Sequence, residues 1–61
     1  MKPKVRLVGE NGNIFNLLGI ARGALRDAGQ PEKATELCSR IQTCHSYAEA
    51  LATICEYVDA Y

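Results

Sequence analysis

Three cysteines and one histidine, Cys38, Cys44, His45 and Cys55, carry the side chains most suited to chemistry in this chain. Four such ligands can hold zinc tetrahedrally, but structural zinc sites space their ligands as short pairs such as Cys-x-x-Cys. No Cys-x-x-Cys occurs here, and Cys44 and His45 are adjacent. Neighbouring residues point apart, which also argues against a Cys–His nucleophile pair. Cys38 falls on an apolar helical stripe, where a thiol behaves as a small hydrophobe. The odd count leaves at least one thiol without a partner inside the chain. Glu32 and Glu36 are helical i, i+4 neighbours on a solvated face rather than opposed carboxylates. Gly9-Glu10-Asn11-Gly12 precedes a helix start, a place where phosphates bind. It lacks the third glycine of a dinucleotide fingerprint and the Lys-Ser/Thr of a P-loop, and Glu10 would repel the anion, so it reads as a turn. The expectation is a protein that is not an enzyme, with no cofactor and no metal.

Cations make the stronger signal. Lys2, Lys4 and Arg6 alternate along one short segment, and alternate residues of a strand share a face. On helix 1, Phe15, Gly19, Arg22 and Arg26 form a stripe at 100° per residue, with Gly23 beside it. Each interior glycine costs up to about 1 kcal/mol relative to alanine, which suggests a close neighbour on that face. An aromatic beside two arginines suits an acidic protein surface or a nucleic acid. Lys2, Lys4, Arg6, Phe15, Arg22 and Arg26 are therefore the candidate binding residues. The plainer alternative is a charged edge strand that stays soluble, with Phe15 packed beneath it and the arginines solvated.

These residues need elements to hold them. Residues 3–8 read as a strand, with Lys4 and Arg6 alternating with Val5 and Leu7. A turn at residues 9–12 leads into helix 1 from about Asn13, capped by Asn11 or Asn13. Its apolar face is Ile14, Leu17, Leu18, Ala21, Leu25 and Ala28, and Gly29 ends it. Helix 2 starts at Pro31, runs to about Thr43–His45, and buries Ala34, Leu37, Cys38 and Ile41. Helix 3 opens with Ser46 and Glu49 as a reciprocal capping box. Tyr47, Ala50, Leu51, Ile54, Val58 and Tyr61 share its buried face, with Tyr57 on the edge. The expected fold is α+β and mostly helical, β-α-α-α, in one small domain over residues 1–61. A lone strand cannot satisfy its own N–H and C=O groups. With no second strand in view, residues 3–8 are expected to pair with their copy in a homodimer, or to add to a partner's sheet.

This order resembles the ribbon-helix-helix DNA-binding family, in which a short N-terminal strand with alternate polar residues precedes two helices and dimerises through the ribbon. The resemblance covers residues 2–45 loosely and implies DNA binding through Lys2, Lys4 and Arg6. The loop at Gly9–Gly12 is long for that family, a third helix is added, and no Asn, Gln or Thr faces outward for base readout. A second resemblance spans nearly the whole chain. Lys4-Val5-Arg6-Leu7-Val8-Gly9-Glu10-Asn11-Gly12-Asn13-Ile14-Phe15-Asn16-Leu17, with Ser46-Tyr47-Ala48-Glu49-Ala50-Leu51 and Glu56-Tyr57-Val58, is similar to a group of small uncharacterised proteins of phages, plasmids and conjugative elements. It implies an accessory role in a mobile element and brings no catalytic residues.

The 61 residues bury only about 60% of the unfolded chain's surface on folding, so added core from a partner would help. Formal net charge is zero, but residues 1–30 carry five basic residues against two acidic, and residues 31–61 two against five. A dipolar molecule of this kind has a charged face. The segment after Lys2 and Lys4 lacks the apolar run of an export signal, so the cytoplasm is the expected compartment, with no membrane association. Partners expected are a second copy and an acidic protein surface or nucleic acid. The expected function is a non-enzymatic interaction protein of a phage or mobile element that binds a host or element macromolecule, blockade of a host defence complex being one such action. The alternative is a ribbon-helix-helix-like DNA-binding regulator.

Overall fold

A computed structural model gives the fold and describes residues 2–61. The order is β1 (Lys4–Val5), α1 (Ile14–Asp27), α2 (Pro31–Gln42), α3 (Tyr47–Tyr57) and β2 (Asp59–Ala60). The helical part follows the sequence closely because local chemistry sets each end. Asn13 caps α1, its side-chain oxygen accepting the Phe15 N–H at 2.8 Å. Asn11 in turn accepts the Asn13 N–H at 2.8 Å, so both asparagines act in series. At the other end the Gln30 N–H reaches the Leu25 carbonyl at 2.8 Å and the Gly29 N–H the Arg26 carbonyl at 3.0 Å. That pair of bonds is a Schellman ending, and it needs the left-handed backbone that Gly29 adopts at φ 76°. Pro31 then opens α2 at a position whose N–H would have no partner.

The start of α3 differs in detail from a reciprocal box. Ser46 Oγ accepts the Glu49 N–H at 3.0 Å, but the Glu49 carboxylate reaches one residue further back and accepts the His45 N–H at 2.8 Å.

The three helices enclose one core. Leu17, Leu18, Ala21 and Leu25 of α1 meet Ala34, Leu37 and Ile41 of α2 and Ala50, Ile54 and Tyr57 of α3. Val5 and Val58 close it from the sheet side. Ala28 lies outside the core and is exposed. Among the described residues, no helix is long and apolar enough to cross a membrane.

The largest correction concerns the strand. The sequence pattern left it without an internal partner, yet β1 pairs in parallel with β2, Lys4 opposite Asp59 and Val5 opposite Ala60. The Asp59 N–H donates to the Pro3 carbonyl and the Tyr61 N–H to the Val5 carbonyl, both at 2.9 Å. The Tyr61 carbonyl accepts from Leu7 and Val8 at 2.6 and 3.0 Å. Helix 3 stops at Tyr57, and Val58 turns to an extended backbone at φ −135°, ψ 153°. Extending the chain there lets the last residues recover backbone hydrogen bonds from β1 while the β-branched Val58 stays buried. Tyr57, assigned by pattern to the helix edge, is buried; Tyr47 and Tyr61, assigned to the buried face, are exposed. Strand completion therefore does not require a second chain.

The interior glycines of α1 have no close neighbour. A Cβ built on Gly19 or Gly23 meets nothing within 4 Å. Gly19→Ala is therefore expected to stabilise the free protein by about 0.5–1 kcal/mol, through helix propensity alone. Thermal unfolding followed by circular dichroism checks this.

Candidate interaction surface

The five cations and one aromatic singled out by sequence fall into separate groups. Lys2 leaves the strand face and reaches α3, where its ammonium donates to the Cys55 carbonyl at 3.0 Å and lies 3.6 Å from Asp59. Cys55 belongs to the last turn of α3, whose carbonyls lack helical partners, and that turn carries no basic residue of its own. Lys2 supplies the missing positive charge from outside the helix. Lys4 of β1 and Arg6, one residue past its end, remain exposed. Arg22 is half-buried, with a guanidinium nitrogen 3.8 Å from the Cys38 sulfur, and Arg26 is exposed one turn on. Seven residues separate Phe15 from Arg22, about 10 Å of helix, so the aromatic and the arginines occupy different parts of α1.

What the structure brings together is apolar. Val8, Phe15, Tyr47 and Tyr61 are 66, 70, 50 and 64% exposed. Tyr47 stands between two open hollows. One, of about 340 Å³, is lined by Phe15, Ile14, Ile41 and Ala50. The other, of about 360 Å³, is lined by Val8, Leu7, Leu51 and Tyr61. The four side chains thus form one ridge from the start of α1, across the start of α3, to the sheet. The Tyr47 hydroxyl donates to the Gly12 carbonyl at 2.5 Å, fixing both the ring and the loop before α1. Contiguous exposed apolar surface with tyrosines is the composition of a protein contact rather than of a free surface. Of these four, the sequence pattern singles out Phe15, but on a stripe with Gly19, Arg22 and Arg26. Val8 could have been found as well, since alternation places it on the face of Lys4 and Arg6. Tyr47 and Tyr61 were hidden by their fit to the helical stripe.

A separate polar network joins α2 to α3. Arg40 of α2 holds Glu56 of α3 through two hydrogen bonds, 2.7 and 3.2 Å, and lies over the Tyr57 ring at 5.7 Å. The Tyr57 hydroxyl donates to Glu36. Burial, and then the bond to Glu36, push the Tyr57 phenol above its ordinary range. The bonds from Arg40 hold Glu56 below the usual carboxylate range. A depressed carboxylate stabilises the fold above its unfolded value, about 4.3, and the contribution is lost as pH falls through the folded value. Both partners are about half exposed, so the effect is small. Thermal melts between neutral and acid pH are expected to show this loss, and Arg40→Met to flatten it.

Cys38 and Cys44 are half-buried and Cys55 is exposed, all as free thiols. Among the described residues, no group of three or more His, Cys, Asp or Glu side chains is placed to share a metal ion. The chain matches no protein-family model, no curated protein and no solved structure.

Proposed function

We propose that this chain is a non-enzymatic interaction protein that acts in the cytoplasm by docking on another protein, in an accessory role for a phage or other mobile element. The observation that carries the reading is the ridge of Val8, Phe15, Tyr47 and Tyr61, four large apolar side chains left in water by a chain with few to spare. Aromatic anchors of this kind dominate protein contacts. The basic outer face of β1 beside it favours a partner with acidic character. The mobile-element role rests on the likeness of the Leu7-Val8-Gly9-Glu10-Asn11-Gly12-Asn13 stretch to the proteins of such elements, and blockade of a host defence complex fits that role.

The test is affinity capture from the host with the full chain as bait. A host protein retained by the native chain, and lost when Phe15 is replaced by alanine, is the expected result. Phe15 is mostly exposed, so Phe15→Ala leaves the fold intact. Recovery of nucleic acid alone, removed by nuclease and unaffected at Phe15, would overturn it.

The DNA-binding reading draws on a specific observation, the exposure of Lys4 on β1 and of Arg6 just beyond it. It requires a duplex to bind at about 50 mM salt, where phosphate contacts are strongest. Gel-shift titration with native chain and Lys4→Ala decides it. Homodimerisation through residues 3–8 would now use the free edge of β1, and sedimentation gives its outcome as a mass of one chain or two.

A further inference from the structure

The two edges of β1 are in different states. The inner edge is occupied: Pro3 and Val5 carbonyls accept from Asp59 and Tyr61, and the Leu7 N–H donates to Tyr61. Because successive residues of a strand direct their backbone groups to opposite edges, Lys4 and Arg6 face the other way. Among the described residues, neither their N–H nor their C=O groups have a hydrogen-bond partner. An open edge of this kind is a template for an added strand.

Charge selects the occupant. The Lys4 and Arg6 side chains are exposed beside this edge, and neither forms an ion pair among the described residues. The strand that β1 already pairs with places an acid, Asp59, opposite Lys4. A second copy fits poorly. A two-fold antiparallel pairing about Val5 sets Lys4 of one copy against Arg6 of the other. Pairing centred on Lys4 or on Arg6 sets each against itself. Like charges directly opposite destabilise a strand pair.

We infer that the outer edge of β1 takes an extended acidic segment of a partner protein as a third strand, its acids opposite Lys4 and Arg6. This rests on the reading of the chain as a protein-binding protein and specifies how it binds. Val8, exposed in the turn that follows Arg6 and Leu7, lies where this edge meets the apolar ridge.

The probe is a capped peptide, Ac-Thr-Glu-Thr-Glu-Thr-NH2, titrated into the full chain, with amide shifts and hydrogen exchange read residue by residue. Saturable shifts and slowed exchange at the Lys4 and Arg6 amides are expected. Replacing both glutamates of the peptide by lysine should weaken binding roughly tenfold or more, as should Lys4→Glu with Arg6→Glu in the protein. Arg6→Pro removes one edge donor without touching the inner ladder and should weaken it similarly; circular dichroism verifies that each variant is folded. Equal affinity for the lysine peptide, or for a peptide N-methylated along its backbone, would overturn the inference. So would Lys4 and Arg6 amides already protected in a particle of twice the chain mass, or shifts at these amides with a short duplex DNA but none with the peptide. Should the peptide leave the edge unaffected while Phe15-dependent capture of a host protein persists, strand addition falls and the interaction reading stands. Loss of that capture as well removes both.

Discussion

Leu37→Ala is expected to remove about half of the chain's stability at 25 °C. Leu37 is fully buried on the face of α2 that meets the other two helices. Truncating a leucine in such a position costs about 2–5 kcal/mol, the transfer of the lost methyl groups plus the cavity left behind. A 61-residue domain has about 3–9 kcal/mol in total at typical values per residue. At the middle of both ranges, one side chain removes about half of the margin. Chemical denaturation followed by circular dichroism measures it, with Leu37→Met as the volume-conserving control that should lose less than about 1.5 kcal/mol. A midpoint for Leu37→Ala equal to that of the native chain would mean that Leu37 is not buried as described.

Val5→Pro is expected to be nearly as damaging, and Arg6→Pro nearly silent for stability. Val5 is buried, and its carbonyl accepts from Tyr61 on the inner edge. Proline there removes a ladder donor and exchanges a well-packed side chain for a stiff ring, a loss of about 2–4 kcal/mol from the lost burial and unsatisfied β2 groups together. Arg6 presents its backbone to the unoccupied edge and its side chain to water, so proline one residue later removes nothing the folded chain uses. The same two variants distinguish pairing schemes. A strand paired through its outer edge with a second copy would make Arg6→Pro the disruptive change and would register it as loss of a dimer.

The helices were legible because their signals are local. Asn13, Gly29, Pro31 and Ser46 each act on backbone within a few residues, and the stripes Leu17, Leu18, Ala21, Leu25 and Ala34, Leu37, Ile41 follow one period. The C-terminal strand was not legible. Ile54, Val58 and Tyr61 continue the helical spacing, and a two-residue strand is too short to show a period of its own. Only the unmet backbone groups of β1, a tertiary demand, pull residues 59–61 out of the helix. Lys2 went astray for a related reason. Alternation fixes where a side chain starts, not where a long flexible one ends, and the bare carbonyls at the end of α3 are within its reach.

The candidate site shows the same division. Arg22 and Phe15 share a stripe on paper, but two helical turns part them. The ridge that joins Phe15 to Tyr47, Val8 and Tyr61 crosses three segments distant in sequence, so no spacing rule could reveal it. Gly19 and Gly23 signalled a neighbour that this chain does not itself supply.

The central structural claim is that β1 is completed inside its own chain and keeps a free outer edge. Backbone amide hydrogen exchange at a concentration where sedimentation gives a single-chain mass tests it most directly. Slow exchange at Leu7, Asp59 and Tyr61, with fast exchange at Lys4 and Arg6, is the result this pairing requires. Slow exchange at Lys4 and Arg6, or fast exchange at Asp59 and Tyr61, would contradict it.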